Sequence, residues 1–128
     1  MDYNELMEKA KKASENSYSP YSKFPVGACV LAESGKTYIG TNVENASYGA
    51  TICAERSAIV NAIVNGERKL TAIAIYGPKM KRCAPCGPCR QVIHEFKSDK
   101  GVEIILEGDN GELEVHTIAE LLPLGFDL

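Results

Sequence analysis

The sequence predicts an α/β fold, a three-layer α/β/α sandwich around a mixed, roughly five-stranded sheet, with residues 1–128 forming one domain. Three observations lead there. Five short stretches are apolar or alternate in strand fashion, and segments of helical periodicity separate most of them. Strands interleaved with helices favour a mixed sheet covered on both faces. At 128 residues and 45% hydrophobic composition, the chain suffices for one real core.

The first segment, Asp2 to about Asn16, places Leu6, Met7, Ala10 and Ala13 at helical spacing, with charges elsewhere. Ser17 to Pro25 holds two prolines and three serines and reads as a loop. Val26 to Ala32 is a buried strand, Glu33-Ser34-Gly35-Lys36 a turn, and Thr37 to Thr41 the returning strand of a hairpin. Asn42 to Ala50 is polar and irregular. Helical periodicity resumes at Cys53 and runs to about Asn65, where Gly66 ends it. Leu70 to Tyr76 alternates and is rich in β-branched residues, so it is a strand. Gly77 to Pro85 is a loop. Pro88 suits the first turn of a helix, since its missing N–H costs nothing there, and that helix continues to about Lys97. Val102 to Leu106 is a short strand, Asp109-Asn110-Gly111 a turn, and Glu112 to His116 a weak strand. Thr117 caps a final short helix through Leu122.

Charge narrows the class of partner. The net charge is -3, whereas a protein that grips a nucleic acid by its backbone carries a basic surface. A small-molecule substrate is expected, with no nucleic acid. Lys79, Lys81 and Arg82 cluster in a loop, where solvation is the ordinary state of such charges. No apolar run approaches the roughly 18 residues that span a bilayer, so no membrane partner is expected. The start, Met1-Asp2-Tyr3-Asn4-Glu5, lacks the basic-then-apolar order of a secretory signal. Five cysteines, an odd number, fit a reducing compartment with thiols kept free or bound to metal. A cytoplasmic location is expected.

Three of those cysteines carry the chemistry. Cys86 and Cys89 lie three apart across a predicted helix start, which puts both sulfurs on one face of the first turn. Cys53 opens another helix about thirty residues earlier. Three thiolates hold a zinc ion while leaving its fourth position open, and that opening separates a catalytic zinc from a structural one. Glu55, two residues after Cys53, is placed to move protons to and from a water there. Three thiolates on a divalent ion leave a net charge of about -1, which weakens its power to acidify water. Helix N-termini offset part of that charge, and Arg56 is expected to offset more by donating to the ligand sulfurs.

Each element also has a plainer reading. A lone Cys-x-x-Cys marks redox or structural sites as readily, and a first-turn glutamate ordinarily serves the helix dipole. An arginine beside it is ordinarily solvated. Cys83 extends the pair to Cys-x-x-Cys-x-x-Cys, as in iron–sulfur sites, but the next ligand position is Ile93. As a fourth zinc ligand Cys83 would make the site structural, at the cost of a sharp turn through Ala84-Pro85. Cys29 fits a core position, His94 a surface one, and His116 stands in no motif.

Together with Phe24-Pro25-Val26-Gly27-Ala28, Asn42-Val43-Glu44-Asn45-Ala46-Ser47-Tyr48, Cys53-Ala54-Glu55-Arg56, Pro85-Cys86-Gly87-Pro88-Cys89-Arg90-Gln91 and Leu121-Leu122-Pro123, the chain resembles the small cytidine deaminases that act on free nucleosides as homotetramers. The pairing of Cys-x-Glu with Pro-Cys-x-x-Cys is the zinc-deaminase constellation. The resemblance implies one Zn2+ per subunit on Cys53, Cys86 and Cys89. It also implies attack of an activated water on C4 of cytosine, with Glu55 shuttling protons to N3 and to the departing ammonia. By the same likeness Asn42 and Glu44 bind the sugar hydroxyls, while Phe24 and Ala54 line the base site. Tyr48 and Phe126 reach a neighbouring subunit's pocket, so active sites are shared. Hydrolysis of cytidine and deoxycytidine, in pyrimidine salvage, is the activity so implied. Cys83, the bulk of Pro88 and the two-residue tail after Phe126 depart from the pattern.

Overall fold

Asp2 starts the first helix by accepting from the Asn4 amide at 3.0 Å, the usual cure for an unpaired first-turn donor. The computed structural model describes residues 2–128. In chain order the elements are α1 (Tyr3–Ser14), β1 (Gly27–Ala32), β2 (Thr37–Thr41), a single 3-10 turn (Tyr48–Ala50), α2 (Ala54–Val64), β3 (Leu70–Tyr76), α3 (Gly87–Glu95), β4 (Glu103–Glu107), β5 (Leu113–Thr117) and α4 (Ile118–Leu121). The five strands form one sheet in the order β2-β1-β3-β4-β5. Only β3 and β4 run parallel, and α3 makes the crossover between them.

Two apolar layers flank this sheet because strand side chains alternate. Ala28, Val30, Ile73, Ile75, Ile104 and Leu106 face α2, α3 and α4. Cys29, Ala72, Ala74 and Ile105 face α1, which lays Leu6, Met7 and Ala10 against them. The three-layer arrangement and the mixed sheet match the sequence expectation, and Cys29 is a core residue, as its strand position predicts. Close approach requires glycine at two points. A Cβ on Gly27 would lie 2.0 Å from the Ala10 carbonyl oxygen of α1, and one on Gly40 would lie 2.2 Å from the Ala58 nitrogen of α2.

Strand register decides where the loops meet. Gly27, at the start of β1, pairs with Thr41 at the end of β2 and with Tyr76 at the end of β3. The chain therefore leaves β2 toward α2, leaves β3 toward α3, and enters β1 from the Ser17–Pro25 loop, all at one end of the sheet. Small bridges tie these loops: Val43 and Ile52 exchange two backbone bonds of 2.9 Å, and Tyr18 is bonded to Asn42 and Glu44.

Some expectations need correction. The helix predicted to reach Lys97 ends at Glu95, because the Phe96 carbonyl and the Ser98 amide are taken by Leu70 at 2.8 and 2.9 Å. Lys81 and Arg82 are not simply solvated. Arg82 grips Glu114 through Nε and Nη2, and Lys81 contacts Glu107, which Lys11 also holds at 2.6 Å. His94 is not a free surface group, since its ring packs on Gly125 and Nε2 lies 3.0 Å from Asp127.

Two outcomes follow. Gly40→Ala must push α2 off the sheet, so a loss of about 1–3 kcal/mol is expected, roughly 5 °C or more in Tm by thermal melting; an unchanged Tm would contradict the close contact. Arg82 beside Glu114 holds its carboxyl down to about 2, below its ordinary 4.5. The depressed value means that this contribution is present above pH 4.5 and is lost as pH falls toward 2. Glu114→Gln should flatten that part of the urea-midpoint profile against pH.

Candidate metal centre and active site

Both helices that start at the shared sheet end are capped by cysteine. Cys53 is the N-cap of α2 and Cys86 that of α3, and neither sulfur makes the capping bond that Ser or Asp would. The sulfurs are turned to each other instead. Cys53 Sγ is 3.8 Å from Cys86 Sγ, Cys86 Sγ is 3.2 Å from Cys89 Sγ, and all three lie within 4.8 Å of one another. Thiolates bonded tetrahedrally to zinc at about 2.3 Å stand roughly 3.8 Å apart, so this donor set fits the ion. Among the described residues no fourth side chain joins the group. Cys83 in particular is buried in the core layer with its sulfur against Gly77. That orientation removes it both as a fourth ligand and as part of an iron–sulfur run.

The surroundings suit a negatively charged centre. Arg56, one turn into α2, points Nη2 at Cys53 Sγ (3.8 Å) and at the Thr51 carbonyl (3.3 Å). Its Nε is buried with no partner among the described residues, an orphaned donor on the side chain that reaches Cys53. The Cys53 thiol is held down to about 5 by hydrogen bonding from Cys89 and then by Arg56, against the cost of burial. Cys89 is pushed up by the same shared bond and by its own burial. Glu55 is 5% exposed, and burial pushes its carboxyl up to about 7. A carboxyl so placed takes and releases a proton near neutrality.

A pocket of about 770 Å³ opens over Cys53, Cys86 and Arg56, with Tyr21, Ser22, Glu44, Tyr48 and Pro88 also on its wall. A larger open cleft, about 900 Å³, runs along α1 and Tyr76 and holds none of the thiols. Of the residues singled out in the sequence, Glu44 and Tyr48 face the pocket, Ala54 and Glu55 are buried in the first turn of α2 next to Cys53 and do not line it, and Phe24 packs on the core. Asn42 is buried, with Oδ1 accepting from Ser17 Oγ at 2.6 Å and from the Val26 amide at 3.0 Å. Phe126 is not at this pocket. The tail that carries it is clamped to α3, where Gln91 bonds both the amide and the carbonyl of Phe126 (3.2 and 2.9 Å), and the residue is 66% exposed. Sequence reasoning missed Ser17, Ser22 and Gln91. Gln91 closes the Pro85–Gln91 stretch but has no role assigned there, and the serines stand in a segment noted only as a loop.

The family model for the cytidine and deoxycytidylate deaminase zinc-binding region matches residues 1–106. This chain belongs to that deaminase family. The cytidine deaminase of Sporosarcina psychrophila is 45% identical over 126 residues, covering 98% of this chain and 92% of that protein. The cytidine deaminase of Halalkalibacterium halodurans is 41% identical over 126 residues, covering 98% and 95%. The crystal structure of cytidine deaminase from Burkholderia pseudomallei superposes with a TM-score of 0.91 at 43% identity, covering 98% of this chain and 100% of that one. A zinc-binding deaminase family and a three-thiol cluster sized for zinc agree on the cofactor.

Within this deaminase chain, purified protein is expected to carry about one zinc, and Cys86→Ala to lose it with a fall in Tm, read by metal analysis and melting. Arg56→Gln should retain the metal yet slow turnover by about tenfold or more. Native turnover in that variant would remove Arg56 from the charge balance.

Proposed function

We propose that this protein hydrolyses cytidine and deoxycytidine to uridine and deoxyuridine, releasing ammonia. The observation that carries the proposal is the open three-thiol cluster with a buried carboxyl, Glu55, two residues from one of its sulfurs. In this reading Cys53, Cys86 and Cys89 would hold zinc, which when bound would supply Lewis acidity to the attacking water. Glu55 accepts a proton from the attacking water and delivers it to ring N3 as C4 becomes tetrahedral. It then takes the remaining proton from the new C4 hydroxyl and passes it to the amine, which leaves as ammonia as the C4–N bond breaks and the C4 carbonyl forms, so one water is consumed for each ammonia released. Burial supports this role, because it keeps the carboxyl's affinity for a proton high enough for both transfers. Arg56 steadies the sulfur charge.

Asn42 and Glu44 bind the sugar hydroxyls, Phe24 packs against the base, and Ala54 lies beside it. Tyr48 and Phe126 serve a neighbouring subunit's pocket within a homotetramer. Their exposure, 91% and 66%, leaves both side chains free to meet a neighbouring subunit. The 128 residues act as one domain. Among the described residues no helix is long and apolar enough to cross a membrane. In this reading the activity lies in the cytoplasm, in pyrimidine salvage.

The first test is ammonia release from cytidine and deoxycytidine by metal-analysed protein; none from either, with zinc present, ends the proposal. Glu55→Gln should keep zinc and Tm while lowering kcat by a factor of 10² or more. Light scattering should give about four chains per particle, and a fully active monomer would refute shared pockets.

A further inference from the structure

The loop before β1 has no regular structure, yet its side chains make an ordered set of bonds to two residues of the proposed sugar site. Asn42 Oδ1 accepts from Ser17 Oγ at 2.6 Å and from the Val26 amide at 3.0 Å, while Nδ2 donates to the Phe24 carbonyl at 2.8 Å. The backbone partners fix which way the amide faces, because an N–H must meet the oxygen and a carbonyl must meet the nitrogen. Ser19 Oγ lies 3.0 Å from Ser17 Oγ and supplies the proton to it, since the Ser17 proton is already committed to Asn42. Both usual acceptor sites of Oδ1 are thus filled, and what Asn42 has left to offer is a single N–H.

Glu44 is held in the complementary sense. Its Oε1 accepts from the amides of Tyr21 and Ser22 at 3.0 and 3.1 Å, and its Oε2 accepts from the Ser22 hydroxyl. These bonds keep the carboxylate charged, with its acid strength raised first by Ser22. The Ser22 oxygen also accepts the Phe24 amide at 3.0 Å, closing a turn over Lys23, whose φ of 58° is unusual for a residue with a Cβ. One hydroxyl therefore links Glu44 to the segment that carries Phe24, and Ser22 and Glu44 share the pocket wall.

We propose that Ser17 and Ser22 are positioning residues that set the polarity of the sugar site: Ser17 leaves Asn42 as a donor only, and the Ser22 loop aims Glu44 as an acceptor only. Such a site recognises groups that both accept and donate, which is the property of a hydroxyl and not of hydrogen or an ether. The inference rests on the reading that Asn42 and Glu44 contact the sugar.

Kinetics on cytidine and on 2′,3′-dideoxycytidine test it. Ser22→Ala and Ser17→Ala should each raise KM for cytidine about fivefold with kcat within twofold, as for loss of one bond to an oriented or charged partner. The preference for cytidine over the dideoxy compound should narrow by the same factor, and Ser22→Thr should restore it. Zinc content should not change. Glu44→Gln separates the two layers. If it narrows the preference while both serine variants keep it, the positioning role is wrong and the sugar reading stands. If Glu44→Gln itself leaves the preference intact, the sugar reading falls and this inference with it. A serine variant that weakens both substrates equally, or lowers kcat alone, would mark a merely structural serine and overturn the proposal.

Discussion

The site depends on strand register at one end of the sheet. Because Gly27 pairs with both Thr41 and Tyr76, two antiparallel neighbours of β1 terminate beside its start. Two helix N-termini must then leave from the same edge, and each is capped by a cysteine. Open α/β sheets place ligands beyond the strand ends for the same reason: loops, not strands, have free side chains to offer there. A slip of one residue in either pairing would turn the buried alternation inside out, so the hydrophobic layers that stabilise the sheet also hold the sulfurs in range.

Gathering three thiols creates an electrostatic problem that the neighbouring residues answer. Cys53 and Cys86 sit at helix N-termini, where unpaired amides favour negative charge. Arg56 adds a full positive charge from the same turn that carries Glu55, at the i,i+3 spacing that lets it reach back to Cys53. Glu55 is treated differently, buried with no cation as its main influence, so its carboxyl keeps a proton more readily than an exposed one. Two acidic groups two residues apart thus lie in opposite regimes, the thiol lowered and the carboxyl raised.

Glu44, on the pocket wall, and the buried Asn42 are also structural residues. Asn42 and Glu44 hold the loop before β1 in shape through bonds to Ser17, Tyr21, Ser22, Phe24 and Val26. On the other side, α3 carries Cys86 and Cys89 at one end and, through Arg90, Gln91 and His94, grips Leu121, Phe126 and Asp127. The metal helix and the tail are one mechanical unit. Where the tail's exposed ring points is therefore tied to the helix that supplies two of the thiols.

Much of this was legible in the residues alone. Period-2 and period-3.6 patterns located the five strands and the main helices, since burial of one face dictates those repeats. The three thiols and Glu55 were legible because metal chemistry needs particular side chains at close spacing, as in Cys86 and Cys89. What spacing could not say is decided by contacts far apart in sequence. Cys83 differs from Cys86 only in facing Gly77 and the core, His94 in meeting the tail, and Lys81 and Arg82 in meeting carboxylates on β4 and β5. The capture of Asn42 by Ser17 joins residues 25 positions apart, and no local propensity encodes it. Local patterns specify which elements form and which atoms can bind a metal; the register of the sheet decides which of those atoms meet, because only packing over the whole chain selects one pairing from many.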